Sequence, residues 1–157
     1  MPYLIDGNNL IGAIKELDTR DKTAREKLTQ MLMQYNKVKR NKIKVVYDGP
    51  PPDGLLAETH FGPVSVRYAG PDYDADTVIK QLVDRSKSPE SIIVVSNDKQ
   101  VYSYCKWAGS KAMRVNQFYD DLIKVLEKEG VDGRKFKELN KNEVDDWLDY
   151  FGIDENE

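Results

Sequence analysis

The chain has 157 residues, of which 32% are charged and 39% hydrophobic, and its mean hydropathy is -0.66. This length is typical of one domain that buries its core without help from a metal or a disulfide. No apolar run approaches the roughly 18 residues of a membrane span. The single cysteine excludes an internal disulfide and a multi-cysteine zinc site. The N-terminus lacks the basic region of a signal peptide, so we expect a soluble, cytoplasmic protein.

Charge is unevenly distributed along the chain. The net charge of -3 and the pI of about 5.3 give no indication of nucleic-acid binding. Residues 131–157 carry nine acids and four bases, whereas residues 1–130 have a net charge of +2. Two interpretations stay open: a balanced surface with an acidic tail, or an acidic site in a mildly basic body, which would suit a metal-dependent enzyme acting on a polyanion.

Strand-like and helix-like segments alternate along the chain. Short apolar runs predict five strands, at residues 2–5, 43–47, 64–68, 91–95 and 112–115. Apolar residues at helical spacing predict helices over 24–35, 75–83, 101–108 and 118–126. This alternation predicts an α/β fold, with a mostly parallel sheet covered by helices on both faces.

The C-terminal segment differs in composition from the rest of the chain. Residues 130–142 are typical of a connector, and Asn142 stands where it would cap a final acidic helix. The apolar stripe of this helix would be Val144, Trp147, Leu148 and Phe151. We therefore predict a domain over residues 1–130, followed by a connector and an acidic amphipathic helix over 131–157. This helix would contact the domain surface or a protein partner.

Acidic residues follow four of the predicted strands, in four separate segments: Asp6, Asp48, the group Asp72, Asp74 and Asp76, and Asp98. In an open α/β sheet, ligands bind beyond the carboxyl ends of the strands, so we expect these acids to meet at one edge. Each acid also has a simpler interpretation, since Asp-Gly pairs form turns and Asp74 and Asp98 stand where helix caps are expected. Turns and caps do not explain why four segments bring acids to the same edge.

Clustered carboxylates indicate a metal site, because they raise one another's pKa unless a cation lies among them. Oxygen ligands favour hard cations such as Mg²⁺ or Mn²⁺, which support phosphoryl transfer. His60 stands alone in a predicted loop, so neither a zinc site nor a Ser-His-Asp triad is expected. Cys105 lies on an apolar helical stripe and is interpreted as a core residue. The sequence has no phosphate-binding loop and no GxGxxG motif.

The segments around these acids resemble NYN domains, a branch of the PIN-like nuclease superfamily. Residues 6–11 resemble the Asp-Gly-x-Asn that follows the first strand, and Asp48 resembles the acid after the second strand. Residues 75–79 resemble the Ala-Asp-x-x-Ile of the metal-site helix, and residues 94–98 resemble the strand ending in Ser-x-Asp. The similarity is greatest to the YacP-like branch, which comprises bacterial RNA endonucleases that can be ribosome-associated. It extends over about residues 2–127.

The resemblance implies a five-stranded parallel sheet in the order 3-2-1-4-5 and a metal-dependent endoribonuclease acting on single-stranded or structured RNA, including ribosome-associated mRNA. It implies that Asp6, Asp76 and Asp98 bind Mg²⁺ or Mn²⁺, and that Asp48 is a further ligand or orients water. Asn9, Ser96 and Asn97 would support this site. Asp74 has no counterpart in the family pattern and is interpreted first as a helix cap, with a supporting role in the site as the alternative. Asn116 and Gln117 stand where some members have a polar or acidic group, so the resemblance does not define the fourth corner of the site.

Basic and aromatic residues near these segments are candidates for RNA contacts. Phosphates would be bound by Arg67, Lys99, Lys106, Lys111 and Arg114, although each is also compatible with a solvated surface charge. Tyr68 and Tyr73 are candidates for stacking on an unpaired base. Two other functions stay open: a non-catalytic RNA- or ribosome-binding module of the same fold, and another phosphoryl-transfer hydrolase, such as a phosphatase or a DNA nuclease.

Overall fold

A computed structural model describes residues 2–18, 20–52, 56–132, 136 and 142–143. Within these ranges the strands are β1 (Tyr3–Asp6), β2 (Ile43–Tyr47), β3 (Glu58–Phe61), β4 (Val64–Tyr68), β5 (Ile93–Val95) and β6 (Lys111–Met113). The helices are α1 (Gly7–Ala13), α2 (Ala24–Lys39), α3 (Ala75–Arg85), α4 (Lys99–Trp107) and α5 (Val115–Lys128). A 3-10 turn at Pro89–Ser91 precedes β5.

The strands form one six-stranded sheet in the order β3-β4-β2-β1-β5-β6, which confirms the predicted α/β class. All neighbouring strands are parallel except β3 and β4. The five predicted strands correspond to β1, β2, β4, β5 and β6, and they have the order that the resemblance implies. The additional strand, β3, forms an antiparallel hairpin with β4 at the edge of the sheet.

The segment around His60 was expected to be a loop, and this expectation is wrong. His60 lies in β3, opposite Ser65 of β4, and its Nε2 lies 3.3 Å from Glu58 Oε2. The residues of β3 are mostly polar and pair with only one strand, so they lack the apolar run that identifies the central strands. His60 lies beside the amino end of β4, so it is at the opposite edge of the sheet from the one where the acids are expected to meet.

Two apolar layers enclose the sheet. The side of Ile5 packs against α1, α2 and α5, with Leu28 and Phe118 fully buried there. The side of Leu4 packs against α3 and α4, where Cys105 is fully buried as predicted. Successive residues of β1 thus point into opposite layers, which explains its continuous apolar run. None of the described helices combines the length and apolar character needed to cross a membrane.

α1 was not predicted, because it begins directly after β1 with no connecting loop. Asp6 ends the strand and caps the helix, and its Oδ1 accepts a hydrogen bond from Asn9 N at 3.3 Å. Gly7 permits this close approach of helix and sheet, since a Cβ at this position would lie 2.4 Å from Tyr47 Cε1. The turn therefore depends on tertiary contacts that the local sequence does not indicate.

The chain order places a topological switch at β1. From β1 the chain passes to β2 and β4 on one side, and then crosses to β5 and β6 on the other. The crevice between the carboxyl ends of β1 and β5 is the usual ligand position in such a sheet. In the C-terminal segment, Phe136 is 9% exposed and belongs to the core beside α1, α2 and α5. The predicted apolar stripe of the final helix lies outside the described residues.

Candidate active site

Four acids lie at the carboxyl edge of the sheet. Asp6 ends β1, Asp48 follows β2, and Asp76 lies in the first turn of α3. Asp98 follows the β5 strand and caps α4. Asp6 and Asp76 each interact electrostatically with Asp48, as well as with other acids of the group. The structure thus places four of the six acids that the sequence singled out at the same edge of the sheet.

Asp6 is the most buried acid of this group, with 4% exposure. Ser96 Oγ donates a hydrogen bond to its Oδ2 at 3.4 Å, in addition to the cap bond from Asn9. Burial raises the pKa of Asp6 to about 6, and the charges of Asp76 and Asp48 add to this rise, while the bond from Asn9 opposes it. The carboxyl group at the centre of the site is therefore costly to ionise.

Asp76 and Asp98 form a second interacting pair. Burial is the main cause that raises the pKa of Asp76 to about 6, followed by the charge of Asp98, which also hydrogen-bonds to it. Asp98 Oδ1 accepts hydrogen bonds from the backbone N–H groups of Gln100 and Val101, at 2.8 and 3.1 Å. The backbone N–H of Asp98 donates to Ser96 Oγ at 3.1 Å. Ser96 therefore links Asp6 to Asp98.

Asp48 connects β2 to the start of α3. Its Oδ1 accepts a hydrogen bond from Ala75 N at 2.7 Å, and its backbone N–H donates to Asn8 Oδ1 at 3.0 Å. Because Ala75 directly precedes Asp76, this bond fixes the position of the neighbouring acid. Asp74 caps the same helix, since Thr77 donates to it through both N and Oγ, and these bonds lower the pKa of Asp74.

Three asparagines connect the site segments on the β5 side. Asn97 N donates to Asn9 Oδ1 at 2.8 Å, and Asn97 Nδ2 donates to Asn116 Oδ1 at 3.0 Å. Asn97 Oδ1 accepts from the backbone N–H of Val115, at the start of α5, at 2.9 Å. An amide network therefore ties α1, the segment after β5, and α5 together on this side of the site.

The ligand type of this site fits a hard divalent cation. Four acids lie at this edge of the sheet, two of them with a raised pKa, and a cation among them would relieve the repulsion. Within the part of the chain that the structure describes, no three His, Cys, Asp or Glu side chains form a group that could hold a metal ion. Asp6, Asp48 and Asp98 instead accept bonds from backbone N–H groups at helix N-termini, and Asp6 also accepts one from Ser96. Asp76 and Asp98 share a hydrogen bond, which requires a proton on one of the two carboxyl groups.

The candidate RNA-binding residues do not all lie near these acids. Lys99 is exposed directly after Asp98, and Arg114 Nη1 donates to Asn97 O at 3.1 Å. Lys106 is exposed on α4, and its Nζ lies 5.4 Å from the centre of the Tyr102 ring.

Lys111 and Arg67 are placed differently. Lys111 begins β6, at the amino end of the strand, so it lies at the opposite edge of the sheet from the acids. Arg67 Nη1 lies 3.8 Å from Glu58 Oε1 at the β3–β4 edge. These placements separate Lys111 from the site and give Arg67 an ion-pair partner.

The two tyrosines that were candidates for base stacking differ in exposure. Tyr68 is only 7% exposed and packs against Tyr47, with ring centroids 6.1 Å apart. It cannot stack on a base without leaving the core, which corrects the prediction. Tyr73 is 55% exposed, beside the start of α3, and stays a candidate.

One residue of the site edge was missed. Arg25 lies on α2, and its Nη2 donates to Asp48 O at 3.3 Å. Its guanidinium carbon is 4.6 Å from the centre of the Tyr47 ring. No local motif marks Arg25, because it is 23 residues from Asp48 in the sequence and only the fold brings the two together.

A sheet of this order with acids at its switch point defines an α/β protein of the NYN type. The YacP-like NYN domain family matches residues 3–154, and the chain belongs to this family. The match extends beyond residue 130 into the C-terminal segment. The structure is similar to that of Rae1 (YacP) from Bacillus subtilis, with a TM-score of 0.69 and 20% identity over 96% of this chain and 87% of that one. No protein with a curated description has a significantly similar sequence.

A second solved structure, the W164L mutant of the same Bacillus subtilis protein, has a TM-score of 0.67 and 20% identity. The match covers 97% of this chain and 92% of that one. At this identity the likeness concerns the fold. The roles of individual residues must therefore be argued from this chain itself.

Proposed function

We propose that this protein is a metal-dependent endoribonuclease that hydrolyses phosphodiester bonds of RNA. The observation that supports this proposal is the position of Asp6, Asp48, Asp76 and Asp98 at the same carboxyl edge, beside the switch point of an NYN-type sheet. NYN domains are generally nucleases, and clustered carboxylates are the ligands that hard divalent cations prefer. In the reaction, water adds to phosphorus and the bond to the leaving oxygen breaks.

The roles that we propose for the acids are those that the resemblance to NYN domains implies. Asp6, Asp76 and Asp98 would hold Mg²⁺ or Mn²⁺, with Asp48 as a further ligand or as the group that orients water. A bound cation would neutralise the phosphate charge and activate water. Ser96 would keep Asp6 and Asp98 in position through its two hydrogen bonds.

RNA cleavage by a variant that replaces one site carboxylate with the uncharged amide of the same shape tests the proposal. Labelled single-stranded and structured RNAs are incubated with the wild type and with Asp98→Asn, in Mg²⁺, in Mn²⁺ and in EDTA. Asparagine retains the oxygen that caps α4, so the variant loses one negative charge but keeps the helix start. We expect cleavage to fall by about 10³-fold or more, because the lost charge removes several kcal/mol of transition-state stabilisation.

Asp84→Asn is the matched control for this experiment. Asp84 is an exposed acid near the end of α3, where it accepts a hydrogen bond from the hydroxyl of Tyr104. Its variant should cleave RNA as the wild type does. Near-wild-type activity of Asp98→Asn would remove Asp98 from the site.

The alternatives make different predictions in the same assay. RNA binding without metal-dependent cleavage would indicate a non-catalytic binding module, which the family membership also permits. Faster turnover of DNA or of small phosphate esters than of RNA would indicate another phosphoryl-transfer hydrolase. Each result would replace the proposed activity without changing the fold.

We further propose that the substrates include ribosome-associated mRNA in the cytoplasm, and that the acidic C-terminal segment contacts a protein partner. Sedimentation with ribosomes, compared between the full chain and a chain ending at Gly130, tests both points. Loss of co-sedimentation on truncation would assign the contact to the tail. Absence of co-sedimentation by the full chain would contradict ribosome association.

A further inference from the structure

Two arginines lie on opposite sides of the acidic site, and they are held in the same way. Arg25 Nη2 donates to the backbone oxygen of Asp48, and Arg114 Nη1 donates to that of Asn97. Each guanidinium also lies over a tyrosine ring, with the Arg25 carbon 4.6 Å from the Tyr47 centroid and the Arg114 carbon 4.1 Å from that of Tyr102. Ring and carbonyl together fix where each positive charge lies.

Neither contact uses all the donors of its guanidinium. An arginine has five N–H donors in a planar fork, and each of these side chains directs one nitrogen to a carbonyl oxygen. Both side chains are partly exposed. The remaining donors are suited to a phosphate, which arginine can bind through two parallel hydrogen bonds.

A cleft beside Arg25 offers space for such a phosphate. It has a volume of about 300 Å³ and lies next to the site, because Asn8, one of its lining residues, accepts a hydrogen bond from Asp48 N. Lys22 is exposed on the same cleft. The acid that lines it, Asp21, is bonded to the buried ammonium of Lys27 at 2.5 Å, so its charge is balanced.

On the Arg114 side of the site, a second basic side chain, Lys106, lies near the same tyrosine ring. Lys106 Nζ lies 5.4 Å from the centroid of the same Tyr102 ring, one helical turn further from the acids along α4. Arg114, Tyr102 and Lys106 thus lead away from the site in one direction, whereas Arg25 and Lys22 lie on its other side. The carbonyl oxygens that hold the two arginines follow β2 and β5, which are two inter-strand spacings apart in the sheet, and this corresponds to about 10 Å.

We propose that Arg25 and Arg114 bind backbone phosphates of one RNA strand on either side of the scissile bond. This strand would cross the carboxyl edge of the sheet from the α1–α2 cleft to α4. The inference rests on the proposed function, because it assigns the substrate path of the same site. It predicts a preference for single-stranded over paired RNA, since two contacts on opposite sides of a narrow edge require an extended strand.

Salt-dependent binding tests this path. Binding of an oligouridylate to the wild type, Arg25→Ala, Arg114→Ala and the double variant is measured in EDTA between about 50 and 200 mM salt. The slope of log K against log salt concentration is about -0.7 per phosphate contact on a single strand. We expect each single variant to reduce the slope by about 0.7 and the double variant by about twice that. Arg85→Ala, which removes an exposed charge at the far end of α3, should leave the slope unchanged.

Variants that retain the charge separate phosphate binding from folding. Arg25→Lys and Arg114→Lys should keep most of the slope but bind more weakly, because lysine lacks the planar fork. Melting curves identify any variant that is unfolded, and for such a position the lysine variant decides the question. Unchanged slopes in both alanine variants, or an equal loss in Arg85→Ala, would overturn the inference.

Stoichiometry tests whether one strand reaches both arginines. We expect one oligouridylate per chain but two molecules of a uridine dinucleotide, since a dinucleotide is too short to reach both sides. Two oligouridylates per chain would contradict a single path. Because no cleavage is needed, failure of the path is distinguishable from failure of the proposed activity, which would appear as normal binding without metal-dependent cleavage.

Discussion

At the scale of single residues, the position of Gly7 decides how closely the first site segment approaches the sheet. A Cβ there would lie 2.4 Å from Tyr47 Cε1 and 2.7 Å from Val45 Cγ1, and both of these side chains are fully buried. We therefore expect Gly7→Ala to destabilise the protein by about 1–3 kcal/mol through overpacking. Chemical denaturation measures the change in the free energy of unfolding.

Gly12→Ala is the control on the same helix. No atom lies within 4 Å of a Cβ at this position, and alanine favours the helix over glycine by roughly 0.5–1 kcal/mol. The two substitutions should therefore have opposite signs. If Gly7→Ala stabilised the protein as Gly12→Ala does, helix propensity would outweigh the contact with Tyr47, and residue 7 would not require glycine.

The residue scale also shows what could be predicted from the sequence. The acids of the site were predictable because Asp6, Asp48 and Asp98 lie at or within three residues of the ends of strands, and strand ends in such a sheet share an edge. The position of Arg25 at this site was not predictable, because its contact with Asp48 depends on how α2 packs against the sheet. Tyr68 was misjudged because its β4 position places the ring in the core beside Tyr47.

At the scale of elements, the entry to α2 depends on an ion pair. Asp21 Oδ2 lies 2.5 Å from Lys27 Nζ, whose side chain is only 2% exposed, and Asp21 also accepts bonds from Thr23. Burial opposes ionisation of Asp21, but the bonds from Lys27 and Thr23 outweigh it and lower its pKa to about 2. The charged carboxylate therefore stabilises the folded state.

Because the pKa of Asp21 is lowered, its ion pair should contribute to the free energy of unfolding in a way that acid removes. A lowered pKa gives stability that is fully present above the unfolded value of 3.8 and is lost as the pH falls towards about 2. We expect this contribution to be on the order of 1 kcal/mol, because Asp21 is 26% exposed and solvent screens the pair. Urea denaturation between pH 5 and pH 2 measures it, relative to Asp21→Asn.

The variant should be less stable than the wild type at pH 5, and the difference should shrink towards pH 2. Adding Lys27→Met to Asp21→Asn should recover stability, since it removes the buried ammonium that the variant leaves without this carboxylate. A difference that stays constant with pH would show that Asp21 acts through its hydrogen bonds to Thr23 and not through its charge.

The predicted elements were those with a strong apolar period. The stripes of α2, α3, α4 and α5 and the five apolar strands were visible in the sequence, because burial on one or two faces imposes a pattern. The two elements that were not predicted, β3 and α1, lack such an apolar pattern. β3 pairs on one side only and is mostly polar, and α1 begins with Gly7 and two asparagines, which have low helix propensity. Tertiary contacts stabilise both.

At the scale of the whole molecule, a bound cation should link the four site segments. Binding to the native state alone stabilises it by about 2.7 kcal/mol at about 100 times the dissociation constant, which corresponds to a rise of roughly 5–10 °C in Tm. We expect Mg²⁺ or Mn²⁺ to produce such a rise and EDTA to reverse it. Differential scanning calorimetry provides the measurement.

Asp76→Asn should lose this response, because it removes one charge from the group, while Asp84→Asn on the same helix should retain it. The loss would show that the cation binds at this edge and not elsewhere on the surface. A wild-type Tm that responds to neither millimolar metal nor EDTA would count strongly against a metal site among these acids.

The C-terminal segment contributes charge and packing to the molecule, and truncation after Gly130 changes both. The net charge changes from -3 to +2, which should strengthen non-specific RNA association at low salt. Loss of Phe136, which is 9% exposed in the core, should cost about 1.5–3 kcal/mol of stability. We expect cleavage of a small RNA to persist in the truncated chain, since the four acids all precede residue 130.

Two full-length variants separate these effects. Phe136→Ala should lower the melting temperature at nearly unchanged RNA affinity, because the net charge stays at -3. A variant with Asp145, Asp146 and Asp149 changed to asparagine should strengthen RNA binding, because it makes the tail less acidic. Both are compared with the truncated chain by melting, cleavage and RNA binding at two salt concentrations. If truncation abolishes cleavage while circular dichroism and melting stay unchanged, the tail belongs to the catalytic machinery and its assignment as a separate segment is wrong.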